Sequence, residues 1–247
     1  MTMIVDNLQR IHQRIEAACA ACGRSADSVR LLAVSKTAGP DAVRQAFAAG
    51  QSAFGENYVQ EGVEKILSLQ AGDGDGDGAA GSMRAEWHCI GPLQSNKTRV
   101  VAAHFDWVQS VDRLKIAQRL SEQRPADLPP LQVCLQVNID GGANKSGVAP
   151  DDALALARDV AQLPRLVLRG LMAIPEPGAS FDADRAVHGR AKALFDAINA
   201  AGVLPAPMDT LSLGMTADLE AAIHAGSTMV RIGTAIFGRR AAPGQPR

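Results

Sequence analysis

The sequence predicts an α/β fold, a single (β/α)8 TIM barrel, and two observations lead to that prediction. Eight short apolar segments of strand character alternate with segments that have the periodicity of amphipathic helices. The chain has 247 residues, which is a usual length for one such barrel. A doubly wound open sheet is the alternative, and it is less favoured because no G-x-G-x-x-G follows the first strand.

The predicted elements follow one another regularly after an extra N-terminal helix at 3–22. Strands are predicted at 31–34, 52–54, 86–90, 107–110, 131–139, 166–173, 210–213 and 228–232. Helices are predicted at 40–49, 59–69, 95–103, 112–123, 151–163, 182–201 and 216–225, and Asp112 and Thr216 are the expected N-caps of two of them. We expect one domain over 1–247, with a flexible Asp/Gly-rich loop insertion at 70–85 and a C-terminal tail at 240–247.

Composition excludes some partners. The formal net charge is −1 and aromatic residues make up 4% of the chain, so the sequence lacks the field and the stacking platforms that nucleic-acid binding needs. No apolar stretch has the length of a membrane span, and the first residues lack a signal-peptide pattern. We therefore expect a cytoplasmic protein with no nucleic-acid or membrane partner.

Four cysteines raise the question of a redox or metal site. Cys19 and Cys22 form a C-x-x-C, which is compatible with a redox pair or half of a zinc site. They also continue the apolar stripe of the first helix, and no second cysteine or histidine pair completes a tetrahedral site. Cys89 and Cys134 lie inside predicted strands. We expect small buried hydrophobic side chains and no metal.

The segment AGDGDGDGAAGSM resembles the start of a calcium-binding EF-hand loop. Asp73, Asp75 and Asp77 stand at alternate positions and Gly78 follows them. The twelfth position is Arg84, where the loop requires a bidentate glutamate. The segment therefore predicts a solvated loop rather than a calcium site.

Lys36 follows the first strand directly, at the end of the sheet where ligands bind in α/β folds. A lysine in this place is usually a solvated loop charge. A functional lysine there would need a neutral amine, which burial favours, and a neutral amine attacks aldehydes to form a Schiff base. The choice between the two depends on what else lies at the same end of the strands.

The carboxyl ends of all eight strands meet at one mouth of a barrel, so residues that follow different strands become neighbours. The last two strands end in Leu-Ser-Leu-Gly-Met-Thr and Arg-Ile-Gly-Thr-Ala, whose small residues and hydroxyls are typical of phosphate binding. Taken singly, each candidate is equally compatible with a turn glycine or a buried core side chain. Together they predict a ligand with a phosphate and an aldehyde, such as pyridoxal phosphate (PLP). The candidates are Lys36, Asn57, His88, Met172, Ser212, Gly214, Arg231, Gly233 and Thr234.

The sequence resembles the pyridoxal phosphate homeostasis proteins, which are single barrels similar to the N-terminal, cofactor-binding domain of alanine racemase. The motifs that carry the resemblance span nearly the whole chain in order: AVSKT (33–37), FGENYVQE (54–61), WHCIGPLQSNK (87–97), NKSG (144–147), RGLMAIP (169–175), LSLGMTADLEAAI (211–223) and STMVRIGTAIFG (227–238). The main departure from the family is the Asp/Gly insertion, which lies between elements.

The resemblance implies a role for most of the candidates. Lys36 would carry PLP as a covalent Schiff base. Ser212, Gly233 and Thr234 would contact its phosphate, and Arg231 would lie near its pyridine nitrogen.

Other positions would surround the cofactor ring. The resemblance places Asn57, His88 and Met172 there. It also makes Lys145, in the loop after the fifth strand, a second lysine near the mouth.

The resemblance and the residue types favour a binding protein over an enzyme. A racemase needs two opposed acid–base groups, and this chain has one tyrosine, Tyr58. We expect a monomeric PLP-binding protein that serves PLP homeostasis, with apo-enzymes as recipients and no catalytic residues. The alternatives are a PLP-dependent racemase that uses Tyr58 or His88, and an aldolase-like enzyme that uses Lys36 on a phosphosugar.

Overall fold

A computed structural model describes residues 2–71, 84–142 and 145–238. Eight parallel strands close into a barrel in sequence order, β1 to β8, and β8 pairs with β1. Helices follow the strands along the chain and cover the outside of the barrel. The predicted fold is confirmed.

The strands are short, as expected for a sheet that is buried on both faces. They are β1 (Arg30–Val34), β2 (Ala53–Glu56), β3 (Glu86–Cys89), β4 (Trp107–Val111), β5 (Leu131–Gln136), β6 (Leu166–Met172), β7 (Thr210–Ser212) and β8 (Met229–Ile232). The helices are α1 (Met3–Ala21), α2 (Pro40–Ala48), α3 (Val59–Gln70), α4 (Thr98–His104), α5 (Leu114–Gln123), α6 (Pro150–Ala161), α7 (Phe181–Ala200), α8 (Leu219–His224) and α9 (Thr234–Phe237). The helix α9 and a short 3-10 turn at Ala26–Ser28 have no counterpart in the prediction.

Several predicted element ends are wrong, among them the start of α4, predicted at 95 and found at Thr98. Asp112 does not cap α5: Arg113 stands at the N-cap position and binds the Asp112 carboxylate. Thr216 does not cap α8, because residues 216–218 form a turn and the helix begins after Asp218. The strand β5 ends at Gln136 instead of 139, and beyond it Val137 keeps a single bridge to Val148.

The core confirms the expectation for most cysteines. Cys19, Cys89 and Cys134 are buried and Cys22 is partly exposed, all as free thiols. Burial raises the pKa of both strand thiols to about 12, so they are inert at neutral pH. The Asp/Gly segment with its EF-hand-like start, and the C-terminal tail, lie outside the described residues.

The N-terminal helix α1 packs against α8, α9 and α2, the helices that lie next to β8 and β1 along the chain. The Asn7 amide donates to the Ile236 carbonyl, and Arg14 forms a bidentate ion pair with Glu220. Within the described residues, none of the helices is long and apolar enough to cross a membrane.

Candidate functional site

Lys36 lies on the turn that follows β1, at the mouth of the barrel. The turn is closed by a hydrogen bond from the Ala38 amide to the Ser35 carbonyl. The Lys36 side chain is exposed, and no hydrogen-bond or ion-pair partner for its amine lies among the described residues. From the sequence we expected a functional lysine at this position to be buried, and the structure shows Lys36 exposed instead. The amine is accessible to a ligand.

A buried ion pair lies directly beneath this turn. The Lys65 ammonium contacts Glu56 Oε1 at 2.6 Å, and both side chains are almost fully buried. The Ser35 hydroxyl donates to the same carboxylate oxygen at 2.6 Å, and Lys65 donates to the Ser35 carbonyl at 2.8 Å. These bonds tie the residue before Lys36 to the end of β2 and to α3.

Glu61 holds the other side of the turn. Its carboxylate accepts from the Thr37 amide at 2.7 Å and lies 3.4 Å from the Lys65 ammonium. Thr37 has φ +65°, a left-handed conformation that costs a residue with a side chain about 1 kcal/mol. Sequence reasoning missed the roles of Glu56, Glu61 and Lys65. The available signal was the i, i+4 spacing of Glu61 and Lys65 within one helix.

Glycines at the ends of β7 and β8 allow close backbone approach. A Cβ at Gly233 would lie 3.2 Å from the Val34 carbonyl oxygen, which places the end of β8 against the end of β1. Gly214 has φ +88°, and a Cβ there would lie 2.6 Å from the Ala222 Cβ. Thr234 begins α9, so its amide has no carbonyl partner within the helix.

Ser212 and Arg231 form a buried pair beneath these glycines. Arg231 Nη1 donates to the Ser212 carbonyl and hydroxyl oxygens at 2.7 and 2.8 Å, and Nη2 donates to the Ala173 carbonyl at 2.9 Å. Burial lowers the pKa of Arg231 to about 10, which still leaves the guanidinium charged at neutral pH. The structure thus brings these two candidates together.

His88 and Met172 lie deeper than the other candidates. His88 is fully buried and both of its ring nitrogens have partners, one of them Glu86 at the start of β3. Met172 is fully buried against Trp107 and Cys134. The structure places neither side chain at an open surface, so their contacts with a cofactor ring stay predictions.

A cleft of about 350 Å³ opens among the loops at the mouth. Asn57 and Lys145 line it, and Asn57 Oδ1 is buried without a hydrogen-bond partner among the described residues. Lys145 is paired with Asp140 at 2.6 Å and Glu176 at 3.2 Å. Partial burial opposes its charged form, but the hydrogen bonds to these two carboxylates raise the pKa of Lys145. Lys145 is therefore a fixed cation rather than a free amine.

The mouth therefore offers what a phosphorylated aldehyde requires. The amine of Lys36 is accessible, and small residues at the end of β8 lie beside its turn. The guanidinium of Arg231 is buried, and the amide oxygen of Asn57 has no hydrogen-bond partner among the described residues. No group of three or more potential metal ligands occurs within the residues that the structure describes.

Comparison with known proteins first identifies the class of domain to which the barrel belongs. The family model described as "Alanine racemase, N-terminal domain" matches residues 7–241. A solved structure from Bifidobacterium adolescentis, described as an unknown protein, is 38% identical with a TM-score of 0.85, over 95% of this chain and 94% of that one. The fold is therefore that of the alanine racemase N-terminal domain.

The curated relatives narrow this class. A pyridoxal phosphate homeostasis protein of Pseudomonas aeruginosa is 55% identical over 240 residues, which cover 97% of each chain. One from Escherichia coli is 51% identical over 97% of this chain and 98% of the relative. The PipY protein of Synechococcus elongatus, solved with PLP bound, is 32% identical with a TM-score of 0.78, over 95% of this chain and all of PipY. The chain belongs to the pyridoxal phosphate homeostasis protein family, which confirms the resemblance seen in the sequence.

Proposed function

We propose that this chain binds PLP as a covalent Schiff base on Lys36 and serves PLP homeostasis by binding, buffering and supplying the cofactor. The observation that carries the proposal is the placement of Lys36. Its amine is exposed and has no partner among the described residues, and its turn lies beside the end of β8. The PLP-bound structure of PipY and the names of the relatives support the identity of the cofactor.

PLP supplies an aldehyde that condenses with an amine, a phosphate that anchors it, and a ring that withdraws electrons when its nitrogen is protonated. Gly233 and Thr234 are the residues we assign to the phosphate, because small residues and a free amide lie together at the end of β8. Gly214 extends this group after β7. The phosphate contact of Ser212 stays a prediction, since its hydroxyl is already bonded to Gln109 and Arg231.

The residues at the mouth favour binding without turnover. A charged guanidinium at Arg231 disfavours protonation of a ring nitrogen that faces it, so a bound ring would gain little electron-withdrawing power. Tyr58 is 62% exposed at the rim, and no described residue holds its hydroxyl as an acid or base on the opposite face. We therefore propose that the chain has no catalytic residues.

Absorbance of the purified, PLP-loaded protein before and after borohydride tests the cofactor. We expect an absorption that bleaches on reduction, and a trapped adduct on the peptide that contains Lys36. Lys36→Ala should abolish that adduct, whereas Lys115→Ala, at an exposed lysine on α5, should not. A protein that gives no absorption with PLP would refute the proposal.

A second assay tests turnover. Amino acids incubated with the loaded protein in heavy water should not acquire deuterium at Cα. Rapid exchange would show a racemase or a related PLP enzyme. Arg231→Ala should change the pH titration of the bound Schiff base without removing the adduct, and an unchanged titration would show that the guanidinium does not face the ring nitrogen.

The recipients and the assembly remain proposals. We propose PLP-dependent apo-enzymes as recipients and a monomeric state. An apo-enzyme that regains activity from the loaded protein faster than from the same concentration of free PLP would support direct transfer. The expected cytoplasmic location stays a prediction.

A further inference from the structure

A line of polar side chains crosses the interior of the barrel. Arg231 Nη1 contacts Ser212 Oγ at 2.8 Å, and Ser212 Oγ contacts Gln109 Oε1 at 2.7 Å. Gln109 Nε2 contacts His88 Nδ1 at 2.9 Å, and His88 Nε2 contacts Glu86 Oε1 at 2.6 Å. We call these five residues the interior polar chain. It joins the guanidinium below the mouth to a carboxylate at the amino end of β3.

A neutral His88 fixes the direction of the interior polar chain. Ionised Glu86 can only accept, so His88 carries its proton on Nε2, and Nδ1 accepts from the Gln109 NH2 group. The amide oxygen of Gln109 then faces Ser212 and accepts from its hydroxyl, and Ser212 Oγ in turn accepts from Arg231, which can only donate.

A doubly protonated imidazole at His88 is incompatible with this arrangement. The added Nδ1 proton would need Gln109 Oε1 as its acceptor, so the amide would have to turn over. The amide NH2 group would then face Ser212 Oγ, which already accepts from Arg231, and the serine hydroxyl would lose its acceptor. The protonation of His88 and the orientation of Ser212 are therefore linked.

The charges around His88 favour its neutral form. Burial is the largest effect and lowers the pKa of His88, and the charge of Arg30 lowers it further. The carboxylates of Glu86 and Asp106 act in the opposite direction. Burial also opposes the ionised form of Glu86, but the hydrogen bond from His88 and the charge of Arg30 lower the pKa of Glu86. A neutral imidazole beside a carboxylate is the result.

The stacking partner of His88 carries a further charge. The Trp107 ring stacks on the imidazole at 5.0 Å, and the Arg169 guanidinium lies 4.9 Å from the centre of the Trp107 ring. Arg169 is paired with Asp209. Among the residues that the structure describes, no proton donor reaches the imidazole from this side, and Gln109 is the one that faces Nδ1.

We infer that Gln109 and His88 are positioning residues, which hold Ser212 and Arg231 in the orientation that PLP binding needs. The inference rests on the proposed function for what Arg231 and Ser212 face at the mouth. The direction of the interior polar chain does not depend on that function, because it follows from the contacts and from a neutral His88.

Nitrogen-15 NMR of histidine-labelled, cofactor-free protein tests the direction. We expect His88 to be neutral, with its proton on Nε2, between pH 6 and 8; a His88→Asn variant identifies its signals. A proton on Nδ1, or an imidazolium in this range, would overturn the inference whether or not the protein binds PLP.

Gln109→Met tests the positioning role in PLP-loaded protein. The substitution leaves Ser212 without its acceptor, so we expect PLP affinity to fall about tenfold and the pH titration of the Schiff base absorption to shift. The matched control is Gln51→Met, which removes a buried glutamine bonded to the Leu31 and Ala53 carbonyls, away from the interior polar chain. Equal behaviour of the two variants would overturn the inference.

Gln109→Glu provides a second variant of nearly the same volume, should Gln109→Met not fold. An ionised glutamate accepts from both Ser212 and His88, so His88 should acquire a proton on Nδ1. An unchanged His88 signal in this variant would overturn the linkage. If wild-type protein forms no adduct with PLP, the proposed function fails, while the NMR result on the interior polar chain stands.

Discussion

Replacement of Lys65 by methionine tests the support beneath the Lys36 turn. The substitution removes the cation from Glu56, whose side chain has no exposed surface. Glu56 Oε1 would keep one donor, the Ser35 hydroxyl, and Glu56 Oε2 has none among the described residues. A buried carboxylate that loses its cation typically costs about 3–5 kcal/mol of unfolding free energy, and we expect a loss in this range.

The loss should depend on pH in a defined direction. Burial already raises the pKa of Glu56 against the opposing effect of Lys65, and without Lys65 the pKa rises further. A raised pKa means that the folded protein takes up the proton first as pH falls. Relative to wild type, Lys65→Met should therefore be destabilised in full at pH values above the pKa that Glu56 has in the folded variant. The destabilisation should shrink as pH falls below that pKa, in total by about 1.4 kcal/mol for each unit by which the substitution raises it.

Urea unfolding of wild type and variant at pH 8 and pH 5 measures both effects. We expect the midpoint at pH 8 to fall by about 1–2 M. Lys192→Met is the control, because Lys192 forms an exposed i, i+4 pair with Asp196 that contributes at most about 0.5 kcal/mol. The double variant Lys65→Met, Glu56→Gln should recover much of the loss, since it leaves no buried charge.

Two results would refute this reasoning. One is a loss in Lys65→Met no larger than that in Lys192→Met, which would show that Lys65 does not compensate a buried charge. The other is an equal loss at both pH values. In either case the turn that carries Lys36 would not depend on the ion pair.

Three further predictions concern other parts of the mouth and the core. In urea unfolding, Gly214→Ala should cost at least about 1 kcal/mol more unfolding free energy than Gly23→Ala. Both glycines have positive φ, but only Gly214 lies against a neighbouring side chain, whereas Gly23 has open space around it. Equal losses in the two variants would contradict the close approach at Gly214. Ellman's reagent should label native protein at Cys22 and reach all four thiols after denaturation, and rapid native labelling of more than one thiol would contradict their burial. Lys145→Ala should change the rate of PLP release measured by transfer to a scavenging apo-enzyme, and an unchanged rate would exclude a role for Lys145 in release.

Periodicity in the sequence was enough to predict the barrel. The alternation of buried strands and amphipathic helices is a local signal, and it located all eight strands. The ends of the elements were harder to predict, because side-chain bonds in the turn before a helix help to decide where the helix begins. Asp218 accepts from the Met215 amide across the turn at 216–218, and α8 begins after Asp218 although Thr216 was the predicted cap.

Depth within the barrel was not predictable from the sequence. His88 occupies the third position of a four-residue strand, and alternation shows that it faces inward but not whether it reaches the mouth. The level that it occupies depends on the stagger of β3 against its neighbours, which is set by the closed sheet. Gln109 was missed for the same reason, since its partners lie on three other strands.

The lysines at the mouth illustrate what structure adds to residue type. Lys65 is buried and bound to Glu56, and Lys145 is paired with two carboxylates. Either amine would have to break charge-assisted hydrogen bonds before it could attack a carbonyl, and such bonds are worth about 1.5–3 kcal/mol each. Lys36 has no partner among the described residues, so its amine would react without that cost. The network that occupies Lys65 also fixes the turn on which Lys36 is presented, and one arrangement therefore both withdraws one lysine from reaction and exposes the other.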